Sequence, residues 1–233
     1  MKNVKSIYPL LFILLFLASC GPQYISKSNA FPKMYEEHPL SILVLPPINE
    51  TTAADAKEYY STTIAEPLTY AGYYVYPIEV TSDLLKAEGL GDTEMLVGLP
   101  PQKFRGYFGA DAVLYIKILK WDTSYFVLGA NITVSVQFIL RSTITGETLW
   151  EYYDTVVQDT SGDSGNSNAG LAGLLVKVVA TAITTATTDY VPIARQLNQR
   201  ALVSIPYGKY HPSFGQDKDI EILEKKLPEQ PKK

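Results

Sequence analysis

The stretch Ile132-Thr133-Val134-Ser135-Val136-Gln137-Phe138-Ile139-Leu140-Arg141 decides the fold, because apolar and polar residues alternate along most of its length. Alternation with a period of two is typical of a half-buried antiparallel strand. Thr145-Gly146 then predicts a tight turn, after which Glu147 to Val157 returns as the partner strand of a hairpin. The second half of the sheet is therefore predicted to be antiparallel.

Strands and helices alternate before this hairpin. Ser41 to Leu45 is a continuous apolar run followed by two prolines, which is typical of a central strand buried on both faces. Apolar residues at helical spacing predict a helix from Thr52 to Ala71, kinked or split at Pro67. Two further strands are predicted, one from Tyr73 to Tyr76 and one from Ala112 to Leu119.

Short helices are predicted between these last two strands. One begins at Thr81 or Ser82, and another follows Pro101 and ends at Gly109. A polar bend is expected at residues 122–124. Because helical crossovers imply parallel pairing, the fold class is α/β (α+β mixed): one domain with a mixed sheet of about five strands, parallel in its first half, and helices packed on it.

The chain after the hairpin contains the longest apolar segment of the mature sequence. Thr160 to Asn168 is a polar loop, and Ala169 to Thr188 predicts a long helix. A segment of this length could span a membrane. Its threonines and Lys177 lower its hydrophobicity, so a helix that covers one face of the sheet is the preferred interpretation. A further helix is expected from Pro192 to Leu202.

The N-terminus predicts export and lipidation. Lys2 and Lys5 precede the apolar run Ile7 to Leu17, which is too short for a permanent transmembrane helix and suits a signal peptide. Leu17-Ala18-Ser19-Cys20 resembles the bacterial lipobox, in which the peptide is cut before a cysteine that carries acyl chains. The alternative is a free thiol at the end of an ordinary signal peptide. Cys20 is the single cysteine of the chain.

These features divide the chain into four parts. Residues 1–19 form the signal peptide, 20–38 a flexible tether after the lipidated cysteine, 39–212 the folded domain, and 213–233 a charged, mobile tail.

Two or more acyl chains hold a protein on a membrane stably. Since Gly21 and not Asp follows Cys20, resemblance to the lipoprotein sorting rule places the protein on the outer membrane, facing the periplasm. The cell-surface face remains an alternative.

Charge and composition exclude several classes of function. Without residues 1–19 the chain has 18 basic and 24 acidic residues and a net charge of −6, which argues against a nucleic-acid partner. The two histidines lack the spacing of metal ligands. Gly162-Asp163-Ser164-Gly165 resembles the tetrapeptide around the nucleophile of trypsin-like proteases, but no histidine base is positioned by the sequence. We therefore expect no catalytic residue, no metal and no cofactor.

Four motifs resemble known envelope proteins. Gly109-Ala110-Asp111 and Thr145-Gly146-Glu147, each followed by a strand, resemble signatures of the curli-secretion lipoprotein CsgG and of the TolB N-terminal domain. Gly72-Tyr73-Tyr74-Val75-Tyr76-Pro77 and Ile205-Pro206-Tyr207-Gly208-Lys209-Tyr210-His211-Pro212 are similar to an uncharacterised family of bacterial lipoproteins related to those two. The resemblance implies a mixed sheet with helices and no catalytic residue. Gly109 and Gly146 are expected to have positive φ angles.

The function predicted from these observations is non-enzymatic. We expect a lipid-anchored accessory or assembly subunit of an envelope complex, one possible role being secretion or the handling of surface polymers. Its partners would be the membrane, through Cys20, and either further copies of itself or other envelope lipoproteins. The alternatives are a periplasmic glycan- or lipid-binding protein and, remotely, a serine hydrolase acting through Ser164. The expected partner surface consists of Tyr73, Tyr74, Leu171, Leu174 and Leu175.

Overall fold

A computed structural model describes residues 23–91, 93–126, 129–159 and 189–224. Cys20, Ser164 and the predicted helix at 169–188 lie outside the described residues. The strands are β1 Tyr24–Ser26, β2 Ser41–Val44, β3 Ile48–Asn49, β4 Tyr74–Val75, β5 Ala112–Phe126, β6 Gly129–Ser142, β7 Thr148–Asp159 and β8 Glu221–Leu223. The helices are α1 Lys27–Ala30, α2 Pro32–Glu37, α3 Ala56–Ser61, α4 Ala65–Tyr70, α5 Ile78–Ala87, α6 Thr93–Val97, α7 Pro101–Phe108 and α8 Val191–Leu202.

Six strands form one mixed sheet, in the order β4-β2-β5-β6-β7, with β3 also paired to β5. β2 pairs in parallel with β4 and β5, and β3 pairs in parallel with β5. The pairs β5–β6 and β6–β7 are antiparallel. The predicted fold class is therefore confirmed: the sheet is parallel in its first half and antiparallel in its second. The sixth strand is β3, two residues long.

Helices cover both faces of the sheet. On one face, α3, α4 and α8 pack on Ile42, Val44, Leu114, Phe138 and Trp150. On the other, α5, α6 and α7 pack on Leu43, Leu45, Val113 and Tyr115. All four residues of β2 are buried, as expected for a central strand of a covered sheet.

Local boundaries differ from the sequence-based expectation in three places. The predicted helix from 52 to 71 is split at Thr62–Ile64, and Pro67 lies in the first turn of α4, where a missing N–H breaks no helical hydrogen bond. α5 begins at Ile78, directly after Pro77. The expected bend at 122–124 is wrong, because β5 continues to Phe126 and pairs with β6 along this length, past a register shift between Ile118 and Lys120.

Both ends of the described chain are folded. The predicted tether is wrong for residues 23–38, which form β1, α1 and α2. The predicted mobile tail is wrong for residues 213–224, because β8 pairs antiparallel with β1. The folded unit thus extends beyond 39–212 on both sides. The physical reason is that each segment is stabilised by the other, through pairing between residues far apart in the chain.

Candidate functional site

Asp111, in the first predicted motif, joins the starts of β2 and β5. Its Oδ2 accepts hydrogen bonds from the backbone N–H of Leu40 and of Ser41, both at 3.1 Å, and from the Ser41 hydroxyl at 3.0 Å. The Asp111 N–H donates to the Ser41 hydroxyl in return. Arg105 of α7 pairs with Oδ1 at 3.2 Å. This carboxylate therefore aligns two parallel strands and one helix.

The second motif lies beside the first. The hydroxyl of Thr143 donates to the carbonyl oxygens of Ala110, at 2.5 Å, and Asp111, at 2.8 Å. Gly109 ends α7 with a φ of 73°, and Gly146 has a φ of 78°, the left-handed region predicted for both. The turn that contains Thr145 and Gly146 thus begins beside Ala110 and Asp111, at one end of the sheet.

Helix α2 holds this turn from outside. The Glu37 carboxylate accepts hydrogen bonds from the hydroxyls of Ser142, at 2.5 Å, and Thr145, at 2.8 Å. Lys33, one turn earlier, forms an ion pair with Glu147. The motif around Thr145 therefore receives its partners from the segment that the sequence analysis assigned to a tether.

The other two motifs also meet. The N–H of Gly208 donates to the carbonyl of Ala71 at 2.8 Å, and that of Tyr210 donates to Gly72 at 3.0 Å. The Tyr73 hydroxyl donates to the carbonyl of Pro206 at 2.5 Å. A Cβ at Gly208 would overlap the carbonyl oxygen of Gly72 and lie 2.7 Å from its carbonyl carbon. Glycine is required because the two backbones touch.

A buried ion pair closes this second junction. Lys27 Nζ lies 3.5 Å from Asp217 Oδ2, and both side chains are buried. The ammonium donates to the carbonyl of Ile205 at 2.8 Å and lies 4.6 Å from the centre of the Tyr207 ring. Asp217 Oδ2 also accepts from the Tyr207 N–H at 2.8 Å. This cluster fastens α1 to the segment 205–217.

Burial shifts the proton affinities of this cluster. It lowers the pKa of the Lys27 ammonium, while the charge of Asp217 and its hydrogen bond act in the opposite direction. Burial also raises the pKa of the Tyr35 hydroxyl, and the negative charge of Asp217 raises it further. Lys27 and Asp217 bind each other and the backbone of Ile205 and Tyr207. The cluster therefore acts as an internal clasp between two segments.

The structure places the residues of the predicted partner surface in different environments. Tyr73 is 3% exposed, so its assignment to a surface is wrong: its ring packs in the core and its hydroxyl is used internally. Tyr74 is 50% exposed. Leu171, Leu174 and Leu175 lie outside the described residues. The sequence analysis missed Lys27, Glu37 and Asp217, because no local pattern marks a polar residue whose partner is distant in the chain.

An apolar surface follows Tyr74 along the chain. We call it the β4–α5 edge and define it by Tyr74 on β4 and by Val80 and Leu84 on α5, all exposed. β4 is an end strand of the sheet. On α5, Ile78, Thr81 and Leu85 face the core, whereas Val80 and Leu84 lie one turn apart on the opposite side.

The described residues hold no group of three or more His, Cys, Asp or Glu side chains suited to bind a metal ion. His38 packs edge-on against Phe214, and His211 stacks on Tyr207 with ring centres 3.7 Å apart. Among the helices described here, none is long and apolar enough to cross a membrane.

The chain folds as a single α/β domain. The residues of its sequence motifs form hydrogen bonds that hold the strands and helices of this domain together. The family model described as "Putative lipoprotein GNA1162-like" matches residues 30–209. "Putative lipoprotein NMB1124/NMB1162" of Neisseria meningitidis serogroup B is 35% identical over 175 residues, which cover 75% of this chain and 79% of that protein. The chain belongs to this family of lipoproteins.

One solved structure agrees with this membership. The crystal structure of lipoprotein GNA1162 from Neisseria meningitidis is 37% identical and aligns with a TM-score of 0.50, covering 62% of this chain and 98% of that one. The LpoB C-terminal domain from Salmonella enterica is 18% identical and covers 57% of this chain and 98% of that one, with a TM-score of 0.34. That score is too low to support an argument. The relation to CsgG and TolB stays a prediction.

Proposed function

We propose that this protein is a periplasmic lipoprotein, anchored to the outer membrane through acylated Cys20, that acts as a non-enzymatic accessory or assembly subunit of a cell-envelope complex. Membership in a lipoprotein family supports the anchor. The observation that carries the proposed role is the β4–α5 edge, because it exposes apolar side chains at one end of a covered sheet. The motif residues, by contrast, form the hydrogen bonds that hold the scaffold together.

The β4–α5 edge differs from ordinary surface. Single exposed apolar residues are common on soluble domains and need no explanation. Here an aliphatic pair, Val80 and Leu84, lies on the solvent side of one helix, and Tyr74 is exposed on the strand that precedes it. Exposed apolar side chains on two consecutive elements are candidates for a protein interaction site, and tyrosine suits interfaces because it combines apolar area with a polar tip. The proposed partner is another envelope lipoprotein or a further copy of this chain.

The anchor is tested by Cys20→Ser. The variant should move from the membrane fraction to the soluble periplasmic fraction, because the acyl chains are the proposed anchor and no helix of the described residues could span the bilayer. Sedimentation of membranes followed by detection of the tagged protein measures the shift, and separation of inner from outer membranes locates the wild type. Unchanged tight binding of the variant would refute the anchor.

The partner surface is tested on the acylated protein extracted in mild detergent. We expect the wild type to purify as a complex, by native mass and stoichiometric co-purification, and the double variant Val80→Ser/Leu84→Ser to recover at least about tenfold less partner. Val203→Ser is the matched control, since Val203 is also exposed but lies after α8. A monomeric wild type without partners, or equal loss in the control, would contradict the proposed role.

A further inference from the structure

The fold begins very close to the proposed lipid. Only Gly21 and Pro22 separate Cys20 from Gln23, and β1 starts at Tyr24. The four fully extended residue steps from Cys20 to Tyr24 span at most about 14 Å. If Cys20 is acylated, the start of β1 therefore cannot lie far from the surface of the membrane.

β1 and β8 form a two-stranded ribbon with two distinct faces. Tyr24 is directly opposite Leu223, and Ile25 is opposite Ile222. Because neighbouring residues in a strand point to opposite faces, the first pair lies on one face and the second pair on the other. Ile222 is buried against the body, whereas Tyr24 is 63% exposed and Leu223 42% exposed. An aromatic and an aliphatic side chain thus share the outer face.

The ribbon cannot swing away from the domain independently. The Lys27 ammonium donates to the carbonyl of Ile205 at 2.8 Å, and Asp217 Oδ2 accepts from the Tyr207 N–H at 2.8 Å, so both arms of the ribbon are bound to the domain. The buried pair of Lys27 and Asp217 follows directly. A ribbon held near the membrane therefore orients the whole domain.

The ribbon lies near the amino ends of the parallel strands. The segment 205–217 contacts Ala71 and Gly72, just before β4, and α2 contacts the turn between β6 and β7. From this end β5 runs through 15 residues to Phe126, about 46 Å at 3.3 Å per residue. The far end of the β5–β6 hairpin consequently points away from the ribbon.

We propose that the outer face of the β1–β8 ribbon, with Tyr24 and Leu223, rests in the lipid headgroup region of the membrane that holds Cys20. This inference rests on the proposed acylation of Cys20. Tyrosine suits this region because its ring is apolar and its hydroxyl is polar. The domain is then oriented, with its β5–β6 hairpin directed away from the bilayer.

Charge does not drive this contact. Lys218 lies next to Asp219, and Glu221 and Glu224 flank the outer pair on β8. A surface with more acidic than basic side chains is not attracted to anionic lipids. The short connection and the apolar pair hold the ribbon in place, so the contact should be insensitive to salt.

The experiment uses acylated full-length protein in vesicles of phosphatidylethanolamine and phosphatidylglycerol. Leu223→Cys introduces the one free thiol, because acylation blocks Cys20, and this thiol carries a fluorophore that is quenched by headgroup-labelled nitroxide lipids. Tyr125→Cys is the matched control, since Tyr125 is 80% exposed near the far end of β5. We expect quenching at 223 to be at least about twofold stronger than at 125, equally in 0.1 M and 1 M NaCl.

A linker variant separates orientation from anchoring. Twelve Gly/Ser residues inserted between Pro22 and Gln23 add an average reach of about 19 Å. The variant should still float with vesicles, but quenching at 223 should fall to the level at 125. For the protein with its native linker, flotation without a difference in quenching between positions 223 and 125 would overturn the orientation and leave the anchor intact. Failure to float would overturn both. Quenching between labels on neighbouring copies would show that another copy covers the ribbon, which also overturns the proposal.

Discussion

At the scale of single residues, Gly72 and Gly208 show how two distant motifs depend on each other. Gly72 has a φ of 91°, which favours glycine, and a Cβ there would overlap the backbone nitrogen of His211. Gly208 needs no unusual φ angle but lies against the carbonyl of Gly72. Two motifs that look like independent turns in the sequence are therefore two sides of one contact.

Replacement of Gly208 by alanine should lower the free energy of unfolding by about 2 kcal/mol or more, because the added methyl group must displace the backbone of Gly72. Urea denaturation followed by circular dichroism measures the loss. Gly106→Ala is the control: Gly106 lies within α7, and a Cβ there meets nothing within 4 Å. That change should be neutral or stabilising by up to about 1 kcal/mol. Equal effects of the two changes would refute the close-contact explanation.

At the scale of elements, Asp111 explains why β2 and β5 start side by side. Parallel strands have no shared turn to set their register. Here one carboxylate binds the N–H groups at the start of β2 while its own backbone leads into β5, whose first residue, Ala112, is aligned with Ile42. The sequence motif that precedes β5 thus has a structural role in alignment.

Asp111→Ala should destabilise the protein by about 2–4 kcal/mol, because the N–H groups of Leu40 and Ser41 and the Ser41 hydroxyl lose their acceptor in a partly buried site. Thermal and urea unfolding measure the change. Asp83→Ala is the control, since Asp83 forms an exposed ion pair with Lys86 at 3.6 Å, and its loss should cost under about 0.5 kcal/mol. An Asp111→Ala protein as stable as the control would show that register is set elsewhere.

At the scale of the whole molecule, the buried tyrosines make the free energy of unfolding depend on pH in the alkaline range. Burial raises the pKa of Tyr35, Tyr60, Tyr73 and Tyr115 above the ordinary value of 10.0. Above pH 10 the unfolded chain loses these protons while the folded protein keeps them. Folded protein then binds more protons, so the free energy of unfolding falls as pH rises. Lys27 acts in the opposite direction only up to about its ordinary pKa of 10.5.

We therefore expect the free energy of unfolding to fall above pH 10, with a slope that reaches about 1.4 kcal/mol per pH unit for each of the fully buried Tyr60 and Tyr73, which stay protonated in the folded protein. Urea unfolding between pH 8 and pH 11.5 measures the slope. Absorbance of the phenolate at 295 nm should show exposed tyrosines titrating first and a second step that coincides with the loss of circular dichroism. Titration of every tyrosine in one step, with unchanged circular dichroism, would contradict this expectation.

How far the sequence predicts this molecule depends on the range of the interaction. The alternation of Ile132 to Arg141, the apolar run at Ser41 and the glycines at 109 and 146 report local conformation, and the structure agrees with each of them. The ends of strands and helices were less predictable where pairing with a distant strand overrides the local conformational preference of the residues. The polar residues 122–124 stay in β5 because β6 supplies their hydrogen bonds. Likewise Tyr73 and Tyr74 are neighbours with similar chemistry, and only the packing of the chain places one inside and one outside.

The sequence by itself determined the mixed character of the sheet, its strands β2, β4, β5, β6 and β7 and the turn between β6 and β7, because hydrophobic periodicity and glycine positions act over a few residues. Only the tertiary structure decided that residues 23–38 and 213–224 belong to the fold. Lys27 and Asp217 look like parts of two solvated segments in the sequence, and each is buried because the other is present. Such pairing leaves no local pattern, since neither segment has a reason to fold until both meet on the completed sheet.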